Sequence, residues 1–581
     1  MQIPRPEYPR PSLMRGEETW VNLNGTWSFE IDRANSGKQR GLQNQTQYAG
    51  EIVVPFVPES AASGVEDTDF MQRVWYCRTF DLPDHFDTAK GRVLLHIGAM
   101  DYEGEVWING CAAGSHRGGY APACFDITDL LCKGENRINI TVEDLLRTPL
   151  QPSGKQCEQY HPYGCFYTRC TGIWQTVWLE YVPAVYIQKV KLLPDVKGEK
   201  LDVQVTVSGT VQVRAAVTYQ GAPVAQGGVT STGGVARLSL PIPDPVLWGP
   251  GEPNLYDIVL TAGEDRVVSY FGMRSVEVDG NRVRINGKSV FQRLVLDQGY
   301  YPDGIYTATD AQAFAKDIRL CMDAGFNGAR MHMKVFEPGF IWEADHAGYL
   351  LWGEYPNWGL DITRHEAMGI MLPEWLEILE RDCNSPSIIG WCPFNESFPG
   401  NNTVIYDMVY KTTKLFDPTR LVLDTSGYIH AGRADMYDVH DYEQNPQTFS
   451  EHYAPLLRGE KPFFNDFGGN IGYDGKLPFF VSEFGGAFFD IDSAAQNSGQ
   501  NSGNPWGYGD APRTCEDLYQ RFADLCTILL DNPHICGLCY TQFTDVEQEM
   551  NGLFAFDRRP KIAVDRLRAV LSRKAAIEKE F

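Results

Sequence analysis

The chain lacks several features that would decide its class at once. No stretch approaches the roughly 18 uninterrupted apolar residues of a membrane-spanning helix. Met1 to Trp20 has no apolar core, so no secretory leader is expected there. Positive charge is in deficit: 51 Lys and Arg against 75 Asp and Glu leave a net charge of −24. That balance argues against nucleic acid or an anionic membrane as partner, while a few local cations can still serve a small acidic substrate. No Gly-rich phosphate loop occurs, so no nucleotide cofactor is expected. No tight cluster of metal ligands stands out, so no metal is expected either. The fourteen cysteines are scattered and form no compact framework, which predicts reduced thiols in a cytoplasmic protein. Cys536 and Cys539 make a Cys-x-x-Cys, but in an expected strand they fall on opposite faces, and packing is their expected role.

What is present is enough for several cores. At 581 residues, with 56 Gly and 35 Pro, the chain predicts two to four domains with many turns. Residues 1–182 carry short alternating strands separated by turns. Asn24-Gly25 lies between Val21-x-Leu23 and Trp27-x-Phe29, Glu105 to Ile108 ends in Asn109-Gly110, and Trp174 to Glu180 alternates cleanly. This spacing predicts a jelly-roll sandwich. Residues 183–275 hold further period-two strands, among them Leu201 to Val207, and predict an immunoglobulin-like sandwich without a catalytic cluster. The loop from Gln151 to Arg169 is long, polar and aromatic, as a loop reaching toward another domain's pocket would be.

From residue 276 to 581 the texture changes to alternating strands and helices. Strands are expected at Val290 to Leu296, Asn327 to Met333, Tyr349 to Glu354, Ile388 onward, Leu421 to Asp424, Met436 to His440, Phe480 to Glu483 and Ile535 to Gln542. Thr309 with Gln312, and Thr514 with Asp517, can cap intervening helices. Eight such units predict a (β/α)8 TIM barrel. Its fourth strand ends in Asn395-Glu396 and its seventh in Ser482-Glu483-Phe484-Gly485-Gly486. Strand ends are where such a barrel keeps its chemistry. Two carboxylates facing one pocket are the equipment of glycoside hydrolysis, in which one holds a proton and the other is ionised.

These residues resemble glycoside hydrolase family 2, which includes β-galactosidases, β-glucuronidases and β-mannosidases. The resemblance rests on Leu23-Asn24-Gly25-Thr26-Trp27, Thr171-Gly172-Ile173-Trp174-Gln175 and Phe271-Gly272-Met273-Arg274. In the barrel it adds Asn327-x-x-Arg330-x-His332, Trp391-x-x-x-Asn395-Glu396 and Ser482 to Gly486. It spans nearly the whole chain and implies the same three-domain order. By resemblance Glu396 is the general acid/base and Glu483 the nucleophile, Asn395 bonds the sugar 2-hydroxyl, and Tyr442 hydrogen-bonds Glu483. Arg330 is expected beside the nucleophile, where its charge favours the ionised form. His332, Asp297 and Glu354 are expected at substrate or in orienting contacts, with internal ion pairs as the alternative for the last two. Trp506 and Tyr508, in the loop that opens with Asn504, are expected to form an aromatic floor.

The specificity follows from departures. The β-glucuronidases of this family carry an Asn-x-Lys that holds the substrate carboxylate, where this chain has Asn551-Gly552-Leu553 without the Lys; Lys334 or Arg293 is a possible replacement. The first strand runs into Leu296-Asp297-Gln298-Gly299-Tyr300 and lacks the Asn-x-His-Glu common in β-galactosidases. The expectation is an exo-acting retaining enzyme on an oligosaccharide or small glycoside, with β-galactoside first. β-Glucuronidase, β-galacturonidase or β-mannosidase activity is the alternative, and an inactive carbohydrate-binding homologue the second. Family 2 members often assemble, so a homo-oligomer is possible.

Overall fold

The computed structural model describes residues 3–397, 403–466, 471–492 and 505–579. The first unit is a two-sheet sandwich. One sheet runs, edge to edge, through Gly50–Val54, Gly25–Ile31, Arg73–Phe80, Asn136–Glu143, Glu103–Ile108 and Cys111–Arg117. The other holds Trp20–Asn22, Val177–Pro183, Gly91–Ile97 and Ala123–Asp126. Inward residues such as Trp27, Tyr76, Leu95, Ile140 and Leu179 fill the space between them. The second unit packs a three-stranded sheet on a four-stranded one. Its strand Lys200–Val207 alternates buried and half-buried residues without a break, the period-two pattern read from the sequence.

The third unit is an eight-stranded parallel barrel. Its strands are β1 (Gln292–Asp297), β2 (Gly328–Met331), β3 (Leu350–Glu354), β4 (Ile388–Cys392), β5 (Leu421–Val422), β6 (Tyr437–Asp441), β7 (Phe479–Gly485) and β8 (Ile535–Thr541). Hydrogen-bonded order runs β5-β4-β3-β2-β1-β8-β7-β6. Every residue of β3, β4, β6, β7 and β8 is buried, as expected of parallel strands covered on both faces. β5 is only two residues long, and the seam from it to β6 is bridged outside the ladder. Asp435 N–H donates to Val422 O at 2.9 Å, and Ser426 Oγ donates to Asp438 at 2.7 Å.

The quoted motifs turn out to be joints. A Cβ on Gly272 would lie 2.7 Å from Trp248 and 2.9 Å from Pro386, so only glycine lets the second unit meet the barrel there. The adjoining Arg274 donates to Pro386 O and Ile388 O at 2.6 and 2.7 Å. Trp174 donates to Gly119 O at 2.8 Å, while its own carbonyl accepts from Thr307 Oγ1 of the barrel at 2.6 Å. The barrel's hydrophobic cluster accordingly takes in Tyr120, Tyr167 and Trp174 of the first unit and Trp248 of the second.

Thr514 and Asp517 form the expected capping box at the head of helix Cys515–Leu530, and Leu518, Phe522, Leu525 and Leu529 are buried along it. The box expected at Thr309 and Gln312 does not form. The helix starts at Gln312 after Ala311, and Asp310 accepts from the Gln312 N–H at 2.6 Å. Asp310 is nearer the free N–H groups and does the work assigned to Thr309. Cys536 and Cys539 are both buried free thiols of β8.

Candidate active site

The carboxyl ends of β2, β3, β4 and β7 converge on Arg330. Its fully buried guanidinium donates from Nε to Glu354 Oε1 at 2.5 Å and from Nη2 to Asn395 Oδ1 at 3.0 Å. Its Nη1 donates to Ser482 O at 2.9 Å and to Glu483 Oε1 at 3.1 Å. One side chain thus ties four strand ends together. A guanidinium suits the place because its fixed fork serves several acceptors at once. Glu354 is used up in the same network: Oε2 meets His332 Nδ1 at 2.9 Å and accepts from Met333 N–H at 3.3 Å. The ion-pair alternative therefore describes Glu354, and its oxygens are not aimed at a sugar.

Glu396 and Glu483 face each other. The carboxylate oxygens of these two and a ring nitrogen of His440 all lie within 4.8 Å of one another. Glu483 Oε2 accepts from the Tyr442 hydroxyl in a short hydrogen bond. His440 sits between the acids, Nδ1 2.8 Å from Glu396 Oε1 and Nε2 3.3 Å from Glu483 Oε1. Its Nε2 also lies 3.0 Å from Ser426 Oγ across the β5–β6 seam. These three residues could hold a metal ion, and two carboxyls brought this near to each other also suit a retaining glycosidase, whose pair stands about 5–5.5 Å apart.

Electrostatics divides the cluster. Burial pushes the Glu396 carboxyl up, but the hydrogen bond and charge of His440, then Lys155 and the Tyr428 hydroxyl, bring it net below its ordinary value. For His440 burial opposes the charge, yet Glu483 and Glu396 raise it above the usual imidazole value. His332 goes the other way: its desolvation dominates and it stays neutral. Glu396 has a left-handed backbone, φ 45°, with its N–H held by Ser426 O at 2.8 Å. A non-Gly residue there stores about 1–3 kcal/mol, an expense typical of functional positions.

Asn395 precedes it. Its backbone N–H is held by Asn357 Oδ1 at 2.8 Å, and its buried Nδ2, with two N–H groups to donate, has no partner among the described residues. Tyr508 stacks on Tyr442 with ring centroids 3.4 Å apart and planes 7° apart, and Trp506 meets Tyr508 edge-on at 4.7 Å. This aromatic wall adjoins Glu483 through Tyr442; Asn504, which opens the loop, lies outside the described residues.

Asp297 is placed elsewhere. Its Oδ1 accepts from Gly299 N–H at 2.9 Å, and burial, then Asp317, push its carboxyl up to about 6. It shapes the turn after β1; its carbonyl accepts from His332 N–H at 2.8 Å, but its carboxyl makes no hydrogen bond to the Arg330 network among the described residues. Neither of the cations named as replacements reaches the mouth. Arg293 is at the start of β1, hence at the opposite end of the barrel, and donates to Leu571 O, Arg573 O and Glu578. Lys334 donates to Gly299 O at 2.5 Å and Tyr306 O at 2.7 Å beneath the first unit.

Among the residues at the mouth that the strand pattern alone does not single out are His440 and Lys155. His440 is two residues before Tyr442, so the two point to one side of the strand, and that spacing was a usable signal. Lys155 comes from the Gln151–Arg169 loop, which the structure lays across the mouth. Ser153 N–H donates to Trp358 O at 2.7 Å, Gln548 Nε2 to Gly164 O at 2.8 Å, and Thr168 N–H to Glu547 at 3.0 Å.

Three models of one family match consecutive parts of the chain. The glycosyl hydrolases family 2 sugar binding domain covers residues 20–183, the central family 2 domain 185–274 and the family 2 TIM barrel domain 276–465. The chain belongs to glycosyl hydrolase family 2. As a family 2 protein it is a glycoside hydrolase. Among curated relatives it is similar to the β-glucuronidase of Paenibacillus borealis, 25% identical over 71% of this chain and 73% of that one. The cat β-glucuronidase is 27% identical over 71% and 69%, and the human one 26% over 74% and 72%. In fold it matches the Bifidobacterium dentium β-glucuronidase solved with coumarin-3-O-glucuronide, at TM-score 0.79 and 19% identity over 96% of this chain and 98% of that one. The Ruminococcus gnavus β-glucuronidase with D-glucuronic acid matches at TM-score 0.78 and 19% identity, over 97% and 99%.

Proposed function

We propose that this family 2 enzyme is a retaining exo-β-glycosidase acting on terminal β-glucuronides. The observation that carries the retaining chemistry is the pair of carboxylates within 4.8 Å at the mouth of the barrel. The glucuronide preference is supported by the similarity to β-glucuronidases of bacteria and mammals over about seven-tenths of the chain. It replaces the expectation of a β-galactoside, which rested on a missing lysine rather than on a feature present.

In this reading Glu483 attacks the anomeric carbon while the glycosidic oxygen leaves with a proton from Glu396, forming a covalent glycosyl ester. Water then attacks the ester, gives its proton back to Glu396 and frees Glu483. Arg330 and Tyr442 hold the nucleophile in line, and the free Nδ2 of Asn395 meets the 2-hydroxyl, where a hydrogen bond strengthens in the transition state. His440 explains how Glu396, drawn below its ordinary value, still delivers a proton. The Glu396–His440 pair holds one proton between them at 2.8 Å, and it moves to the carboxyl as charge develops on the leaving oxygen. Trp506 and Tyr508 form one wall for the sugar.

A panel of 4-nitrophenyl β-D-glycosides tests the reading. The glucuronide should have the highest kcat/KM of glucuronide, galacturonide, galactoside, glucoside and mannoside. A galactoside preferred over the glucuronide would overturn it.

A further inference from the structure

A glucuronide carries a carboxylate, and a buried site needs a cation to receive it. Among the described residues, the other buried cations around this end of the barrel are already engaged. Arg330 serves Glu354, Glu483 and Asn395; Lys334 caps two carbonyls; Lys561 is bound by Asp545 and Phe489 O; Arg169 by carbonyls of Cys157, Gln159 and Thr68. Lys155 is different. It is 7% exposed, and among the described residues no carboxylate lies within ion-pair distance of its ammonium. The ammonium rests 4.1 Å from the centre of the Trp358 ring, and the indole N–H of that ring donates to Asn395 O at 3.2 Å. The cation is therefore one residue removed from the backbone of the candidate acid. Burial pulls the ammonium down, but Cys165, to which it is hydrogen-bonded, then Glu549, Glu396 and Glu483 raise it net above its ordinary value.

The position is built. Gly154 has φ 57°, and a Cβ there would lie 2.4 Å from Met333 O, so only glycine lets the loop press against the exit of β2. Next along, the Lys155 carbonyl accepts from Tyr167 N–H at 2.8 Å, and the Tyr167 hydroxyl bonds Glu549 in the barrel. A cation–π contact supplies on the order of 1–2 kcal/mol, less than the several kcal/mol that burying an unpaired charge costs. Among the described residues the ammonium has no direct ion pair, and an anion arriving beside it would complete one.

We infer that Lys155, delivered by the first unit across the domain boundary, is the residue that recognises the carboxylate of a terminal hexuronic acid. It takes the place of the Asn-x-Lys lysine that is absent at Leu553. This rests on the glucuronide reading above and assigns that specificity to a domain without catalytic residues.

The test is Lys155→Met and Lys155→Arg in the full chain, assayed on 4-nitrophenyl β-D-glucuronide and β-D-glucoside. The ratio of kcat/KM for the acidic to the neutral sugar should fall about 10- to 100-fold in Lys155→Met, mainly through KM, as expected from losing one charged hydrogen bond. Lys155→Arg should recover part of the ratio. Thermal protection by D-glucuronate should weaken in parallel, a readout that survives if turnover becomes too slow. Equal losses on both sugars, or an unchanged ratio, would overturn the assignment and leave Lys155 as a counter-charge for Glu396 and Glu549. If the wild type cleaves neutral glycosides but no uronide, the glucuronide reading itself fails and this assignment with it. If it cleaves the glucuronide and Lys155→Met does not change the ratio, only this assignment fails.

Discussion

Replacing His440 with Gln separates two accounts of the same contact. Gln keeps a neutral N–H donor near Glu396 and removes the titrating ring. If the proton used in catalysis is shared by Glu396 and His440, the alkaline limb of kcat/KM reports its loss from the pair, at a value set by the raised imidazole. In the variant only the carboxyl remains to hold it. The ordinary imidazole and carboxyl values differ by about 2 units, so the limb should move acidward by about 2 units and activity at pH 7 should fall on the order of 100-fold. If His440 merely holds Glu396 ionised, its removal should move the limb toward higher pH. The assay is kcat/KM on the glucuronide from pH 4 to 9, with wild type and variant in the same buffers. A limb that stays in place or moves alkaline would refute the shared proton.

Two further outcomes follow from burial. Arg330→Met leaves Glu354 and Glu483 buried beside each other without their cation, which should cost about 3–5 kcal/mol, seen as a clearly lowered unfolding temperature; an unchanged one would mean the network is not structural. Stability should also decline from pH 6 to pH 9. His96 and His430, each raised to about 9, give stabilisation that is complete below the free imidazole value and lost as pH climbs through 9. Burial holds Glu59 protonated to about 8 and Glu374 to about 7, so the native state binds more protons than the unfolded chain in that window, and the sign is the same. A melting temperature higher at pH 9 than at pH 6 would contradict this.

The parts legible in the sequence were those fixed by short-range patterns. Eight strands were visible because each is a short apolar run bounded by turns, and Glu396 and Glu483 because they end two of them. Arg330 follows from the face it shares with His332 on one strand, and Tyr442 from the family resemblance. His440 obeys the same two-residue rule, but as the last residue of an expected strand it carries no motif of its own. Arg293 was misjudged because it opens β1: in a parallel barrel a residue at the start of a strand lies at the end away from the chemistry. Asp297 and Glu354 both end strands, yet one is spent on a turn and the other on Arg330, a choice made by neighbours remote in the chain. Lys155 illustrates the same limit more strongly. Its loop could be recognised as reaching elsewhere, but nothing local says that Trp358, some two hundred residues on, is where its ammonium comes to rest.

In the proposed mechanism Glu483 becomes covalently bonded to the sugar. This step is tested most directly by incubating the enzyme with a 2-deoxy-2-fluoro-β-D-glucuronosyl fluoride and locating the label by peptide mass spectrometry. One glycosyl group per chain is expected, on Glu483, with activity lost in proportion. A label on Glu396, or complete hydrolysis that gives the α-anomer first and never labels the chain, would contradict it.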